Sequence, residues 1–196
     1  MAIAVRVYFE GDRSLRIGFS KFFEGLRLPG IRIAPVPCKA NAIADFMSGL
    51  KSYPEAVNVL LIDAEKPYAA NLFQEVRQHD HWDYATGSNI SDDRIHFMVQ
   101  VMESWFLADK QALSAYYGRA FSANRLPANS AIEEIPKDDV LSGLAEATRA
   151  TTKGRYHKTN HGPRLLEAID PAKVCAAAPN CSRLFDFLNS LVSQSP

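Results

Sequence analysis

The segment Val57-Asn58-Val59-Leu60-Leu61-Ile62 is apolar at every position but one, and it runs straight into Asp63-Ala64-Glu65. A strand with one wet face alternates polar and apolar residues, so a continuous apolar run implies burial on both faces, as in a parallel sheet covered by helices. Parallel neighbours need long crossover connections, usually helical and right-handed. The chain before Val57 has the pattern that this demands. Ile3, Val5, Val7 and Phe9 alternate along a first strand, then Leu15, Phe19, Phe22, Phe23 and Leu26 recur at helical spacing behind Ser14 as N-cap. Leu28-Pro29-Gly30 stops that helix, and Ile31 to Val36 makes a second strand whose Pro35, with Pro37 just beyond, assigns it to a sheet edge. Asn41 to Tyr53 is a second helix with Ile43, Phe46, Met47 and Leu50 inward, ended by Pro54.

Beyond Asp63 the pattern continues with a helix over Ala69 to Gln78, a polar surface loop from His79 to Asp93, and a strand from Arg94 to Val101. Glu103 to Tyr117 reads as a helix closed by Gly118. After Arg119 strands become scarce. Phe121 to Pro136 is irregular, and helices are expected from Asp138 or Asp139 to Arg149, over Pro163 to Ile169, and over Pro179 to Ser193. The expected fold is therefore α/β, a mostly parallel central sheet flanked by helices, over residues 1–118, with a mainly helical C-terminal extension over 119–196 packed on it.

Composition narrows the function classes. The net charge is zero, which excludes a grossly basic nucleic-acid binder but leaves room for a local basic face. Cys38, Cys175 and Cys181 form no Cys-x-x-Cys pair, so reduced structural thiols are expected rather than a zinc site. No apolar run approaches the roughly 20 residues that span a bilayer, and Arg6 and Glu10 interrupt the apolar start, so the expected setting is cytoplasmic. No Gly-x-Gly-x-x-Gly, Gly-x-x-x-x-Gly-Lys or His-Glu-x-x-His occurs, which removes dinucleotide, P-loop and zinc-protease readings.

The chemistry-bearing residues are acids at strand ends. Glu10 closes the first strand and Asp63-x-Glu65 the third. In an open α/β sheet the carboxyl ends of the strands border the crevice where ligands bind. Alternate residues of an extended chain point the same way, so Asp63 and Glu65 are expected to aim into one crevice. Carboxylates gathered there repel one another unless a cation sits between them, and Mg2+ accepts such hard oxygens. Glu103, just past the fourth strand, is either a further acid at that edge or a helix N-terminal acid favoured by the macrodipole. Trp105 and Phe106 read as core.

Between Glu146 and Glu167 there is no acidic residue, while Arg149, Lys153, Arg155, Lys158 and Arg164 accumulate with His157 and His161. Lys153, Arg155, His157, Lys158 and His161 are the candidates for a nucleic-acid backbone, since phosphate contacts use such residues without reading sequence. The alternative is an ordinary solvated loop. Gly154, Gly162 and Pro163 argue against a regular helix that would put His157 and His161 on one face as metal ligands.

The strand-end acids resemble those of the Toprim superfamily, the metal-binding domain of topoisomerases, primases and nucleases. That resemblance implies Glu10 as general acid/base, with Asp63 and Glu65 holding Mg2+ or Mn2+. Two departures stand out: Glu65 occupies a position where Toprim domains carry aspartate, and Glu10-Gly11-Asp12-Arg13-Ser14 is poor in glycine. Three longer segments, His96 to Asp109, Glu134 to Val140 and Thr152 to Lys158, resemble a bacterial family of uncharacterised Toprim-like proteins. That resemblance implies a neighbouring SMC-like or ABC-type ATPase and a role in phage defence. The function expected is a Mg2+-dependent nuclease. The alternatives are a non-catalytic Toprim-fold subunit that regulates an ATPase, and a small-molecule phosphoesterase.

Overall fold

The structure is a computed structural model that describes residues 2–193. Strands β1 (Ile3–Glu10), β2 (Ile31–Cys38), β3 (Val57–Asp63) and β4 (Ile95–Met98) form, among the described residues, one sheet in the order β2-β1-β3-β4. All its pairings are parallel, with Glu10 opposite Cys38, Phe9 opposite Leu61 and Asp63 opposite Met98. The carboxyl ends of the strands therefore share one edge. Pro35 and Pro37 are accommodated because β2 pairs on one side alone, as an edge strand.

Pleating sends alternate residues to opposite faces, and each face has its own core. Val5, Val7, Phe9, Val59, Leu61 and Met98 belong to the core that α1 (Leu15–Glu24) covers with Phe19, Phe22 and Phe23. Tyr8, Leu60, Ile62, Ile95 and Phe97 belong to the other, covered by α2 (Ala42–Ser52) and α3 (Leu72–Arg77) through Phe46, Met47 and Leu72. The two-sided burial expected of Val57 to Ile62 is thus present, and Asn58, the polar exception, accepts a hydrogen bond from the Tyr8 hydroxyl at 3.1 Å. Short α4 (Tyr84–Gly87) lies in the loop before β4, where no helix is expected from sequence.

Three local expectations are corrected. Ser14 makes no side-chain cap; Asp12 instead accepts from both the Ser14 amide and its hydroxyl. The fourth strand is only Ile95–Met98, because its partner β3 ends at Asp63. The helix expected from Glu103 divides into a 3-10 segment, Met102–Asp109, and α5 (Lys110–Tyr117), which Asp109 caps by accepting the Ala112 N–H. Nearly all of Met102–Asp109 is buried, so it has no polar face to set a regular helical period. Trp105 is fully buried and stacks on Phe22 with centroids 4.9 Å apart, the core role expected of it.

The C-terminal part consists of α6 (Lys137–Thr148), α7 (Lys158–Ala168), α8 (Pro171–Ala177) and α9 (Pro179–Ser193). Their apolar residues Leu144, Leu165, Val174 and Leu184 enter the same core as α1 and β1. Helix α7 begins well before Pro163, which sits inside it. Tertiary packing overrides the local breaker: α7 lies so close to α1 that a Cβ on Gly18 would come within 2.6 Å of the Pro163 carbonyl oxygen and 2.8 Å of Leu166 Cβ. The cysteines are free thiols, and among the described residues no helix is long and apolar enough to cross a membrane.

Gly18→Leu is expected to force α1 and α7 apart and to cost at least about 1–3 kcal/mol, the usual penalty of overpacking. Urea unfolding measures it; an unchanged midpoint would show that the two helices do not need this close approach.

Candidate functional site

Strand β1 connects to β2 on one side of it and β3 lies on the other, with α1 and α2 on opposite faces. That reversal makes the β1/β3 gap the topological switch point of the sheet, the place where open α/β folds leave a crevice. Glu10 ends β1 and Asp63 ends β3 at this gap.

Beyond the strand, Asp63 turns toward the segment that follows β4. Its Oδ1 accepts the Met102 N–H at 2.7 Å, and its Oδ2 lies 3.3 Å from Lys158 Nζ at the start of α7. Glu103 approaches the same ammonium, with Oε2 at 3.8 Å, while its Oε1 accepts the Tyr156 hydroxyl at 2.9 Å. The Asp63 and Glu103 side chains are 4% and 2% exposed, against 42% for Lys158. Two buried carboxylates thus share one partly exposed cation.

Glu65 departs from the extended-chain expectation. Its φ of +60° is left-handed, a region that non-glycine residues seldom adopt, so the alternate-residue rule fails after Asp63. Its N–H instead donates to the Gln100 carbonyl at 2.8 Å, and its carboxylate pairs with Lys137. Gln100 Oε1 in turn accepts the Lys137 N–H at 3.1 Å. The two acids still border one cleft of about 410 Å³, with Glu103, Lys137, Tyr156 and Lys158. Glu10 opens into a second cleft of about 380 Å³, beside Asn41, Glu75 and His79; Asp63 lines both.

The electrostatics follow from this crowding. Burial, with Glu103 and Glu10 nearby, raises the Asp63 pKa to about 7 even though Lys158 pulls it down. Glu10 is raised first by burial and then by Glu65. Burial pulls the Lys158 ammonium down, but Asp63 and Glu103 outweigh it and leave its pKa raised. Tyr156 is pushed far up, by burial and then by Glu103, so its phenol stays a hydrogen-bond donor.

The basic stretch is not a single face. Lys158 enters the acidic cluster, and His157 lines the same cleft as the N-cap residue of α7. Arg155 pairs with Glu146, and Lys153 lies 5.0 Å from the centroid of Tyr116. His161 is only 8% exposed, packed among Tyr116, Tyr117 and Tyr156. Its Nδ1 accepts the His157 N–H at 3.1 Å. It clips the loop that delivers Tyr156 and Lys158.

Lys137 and Tyr156 have no site role in the sequence reading, and neither is a strand-end acid. The available signal was the family-like segments themselves. Glu103 comes from the first, Lys137 from the second, and Tyr156, His157 and Lys158 from the third, and all line the 410 Å³ cleft.

Among the described residues, no three or more histidine, cysteine, aspartate or glutamate side chains are arranged as a metal cage. The donor chemistry nevertheless suits Mg2+, which is commonly held by one or two carboxylates with water and substrate oxygens completing the shell. Asp63 and Glu103 already converge on a cation, the Lys158 ammonium.

Residues 19–189 match the signature of DUF4276, a domain of unknown function. The chain belongs to the DUF4276 family. Comparison with curated proteins finds no match. Among solved structures, the DUF4276 chain is similar to the C-terminal region of the Burkholderia pseudomallei OLD protein, at 11% identity and a TM-score of 0.44, covering 98% of this chain and 99% of that one.

Two measurements bear on the cluster. A carboxyl whose folded pKa is raised stabilises the fold fully below its unfolded pKa, about 4, and loses that contribution as pH rises through the folded value. With Asp63 raised to about 7, the metal-free protein is expected to lose stability between these pH values, and Asp63→Asn, which keeps an acceptor for Met102, to flatten that slope. Urea unfolding across a pH series tests this; equal slopes for both proteins would sink it. Tyr156→Phe leaves a buried Glu103 oxygen without its donor, and is expected to cost about 1–3 kcal/mol in the same assay.

Proposed function

We propose that this DUF4276 chain is a Toprim-like, Mg2+- or Mn2+-dependent phosphodiester hydrolase that acts on DNA or RNA. The observation that carries the reading is the pair of buried acids, Asp63 and Glu103, converging on one cation at the switch point of a parallel sheet, with a cation-bearing cleft before them. Acids alone would repel a phosphodiester. Lys137 and Lys158, with the exposed His157, offset that repulsion and provide donors for phosphate oxygens on the same wall.

Within this reading each residue has a separate task. Asp63 and Glu103 hold the metal, which would stabilise charge on the phosphate oxygens and make water a better nucleophile. Met102 N–H and the Tyr156 hydroxyl each fix one oxygen of these carboxylates and so set their orientation. Glu10 is the proton acceptor, because its raised pKa brings it nearer to the working pH than an ordinary carboxylate. Glu65 holds Lys137 at the cleft rim. Lys153 and Arg155 extend a weaker electrostatic path outside the cleft.

A second reading rests on a specific observation: Asp63, Glu65 and Glu103 are all paired with lysines of the same chain. Such internal neutralisation suits a non-catalytic subunit whose partner is an SMC-like or ABC-type ATPase. Incubation of purified protein with DNA and RNA panels in Mg2+ or Mn2+ separates these readings. Cleavage is expected, and Asp63→Asn and Glu103→Gln are each expected to lower it at least about a hundredfold, the scale of a lost electrostatic contact in a transition state. Turnover of small phosphate esters but not polynucleotides would point to a phosphoesterase. No turnover, with a stable ATPase complex, would support the regulatory subunit.

A further inference from the structure

The Asp63–Lys158–Glu103 arrangement carries a consequence for how a metal enters, and it rests on the metal-dependent reading above. Each of the two carboxylates has one oxygen fixed by a neutral donor: Oδ1 of Asp63 by the Met102 N–H, and Oε1 of Glu103 by the Tyr156 hydroxyl. The second oxygen of each, Oδ2 and Oε2, faces Lys158 Nζ at 3.3 and 3.8 Å. The acids are therefore oriented without the lysine. What the lysine supplies is charge. Side chains exposed by only 4% and 2% are poorly screened by dissolved counter-ions, so while both carboxyls are ionised the compensating cation comes from the chain or from a bound ion.

We propose that Lys158 is a resident cation that a divalent metal must displace from Asp63 and Glu103. Asp63 and Glu103 would hold a metal through the oxygens that their neutral donors leave open, and those are the oxygens that the ammonium now approaches. Two positive charges a few Å apart in a water-poor site repel strongly. One of them leaves, and the structure shows which can. Lys158 is 42% exposed, at the first residue of α7, on a flexible stem that borders an open cleft. Displacement carries its ammonium into the cleft where Lys137 already stands, so metal loading and the gathering of positive charge for an anionic substrate are one event.

The test is Mn2+ binding to the full chain by calorimetry, at one fixed neutral pH, with thermal unfolding measured alongside. Lys158→Met is expected to bind Mn2+ at least about tenfold more tightly than the native chain, a 1.4 kcal/mol gain. Its metal-free form should melt at lower temperature and regain the loss when Mn2+ is added. Lys158→Arg, which keeps the charge, should show no gain. Lys137→Met removes a cation of the same cleft that is paired with Glu65 instead, and its affinity should change by less than about threefold, because an exposed pair acts weakly at a distance. Should Lys158→Met not fold without metal, Lys158→Gln takes its place with the same expectation.

Unchanged or weaker binding by Lys158→Met while the native chain binds Mn2+ overturns the proposal and leaves the metal-dependent reading intact. An equal gain in Lys137→Met also overturns it, since the effect would then be general charge. If no form of the chain binds Mn2+, both the proposal and the metal-dependent reading fall.

Discussion

The burial of the Asp63 carboxylate is the constraint around which this molecule is built. Strand β3 is covered on both faces, so the acid that ends it has little access to water. A charge there is stable only with donors and a counter-charge close by. The backbone N–H of Met102 and the ammonium of Lys158 lie 39 and 95 residues further along the chain. The α/β sheet is therefore electrostatically incomplete without the helical C-terminal part, which also shares its main core. This dependence explains why α7 packs on α1 without a spacer at Gly18: the axis of α7 fixes where Lys158 starts.

The same logic shows which features the sequence could reveal. Strands β1 to β3 were legible because each is written in local periodicity or continuous apolarity, and Pro35 and Pro37 marked the edge strand. Strand-helix alternation placed Glu10 and Asp63 at the carboxyl edge of the sheet, whereas the switch point depends on the strand order, which the fold alone supplies. Features decided by non-local packing were not legible. The 3-10 course of Met102–Asp109 reflects complete burial, which leaves no amphipathic period to read. Helix α7 runs through Pro163 because its contacts with α1 outweigh a local breaker.

The charged stretch after Glu146 is the clearest case of composition concealing division of labour. As a run it suggested one basic face. In the fold its members meet different partners: Glu146 neutralises Arg155, the Tyr116 ring attends Lys153, and His161 is buried as a loop clip. Only Lys158 meets the acidic cluster, and only the tertiary structure can select it from among its neighbours. The three family-like segments behave in the opposite way. They are separated in sequence and irregular in composition, yet Glu103, Lys137 and Tyr156 converge on one cleft. Residues that local periodicity leaves unexplained are thus better pointers to this site than the charge run was.

Glu65 illustrates how a departure from a motif acquires meaning in three dimensions. In an extended chain, replacing aspartate by glutamate would displace a carboxylate within a shared site. Here the backbone has already left the extended conformation, with φ at +60° and the N–H committed to the Gln100 carbonyl. The side chain is half exposed and reaches Lys137, whose own N–H is held by Gln100 Oε1. The added methylene therefore serves a reach outward, to a lysine on the cleft rim, and leaves the buried cation position to Asp63 and Glu103. Aspartate at this position would place its carboxylate one carbon shorter of Lys137, and the rim cation would lose its partner before the buried pair was altered at all. Glu65, which departs from the Toprim pattern, is thus tied to the cleft rim through Lys137, and the acid that joins Asp63 at the Lys158 ammonium is Glu103, from beyond a different strand.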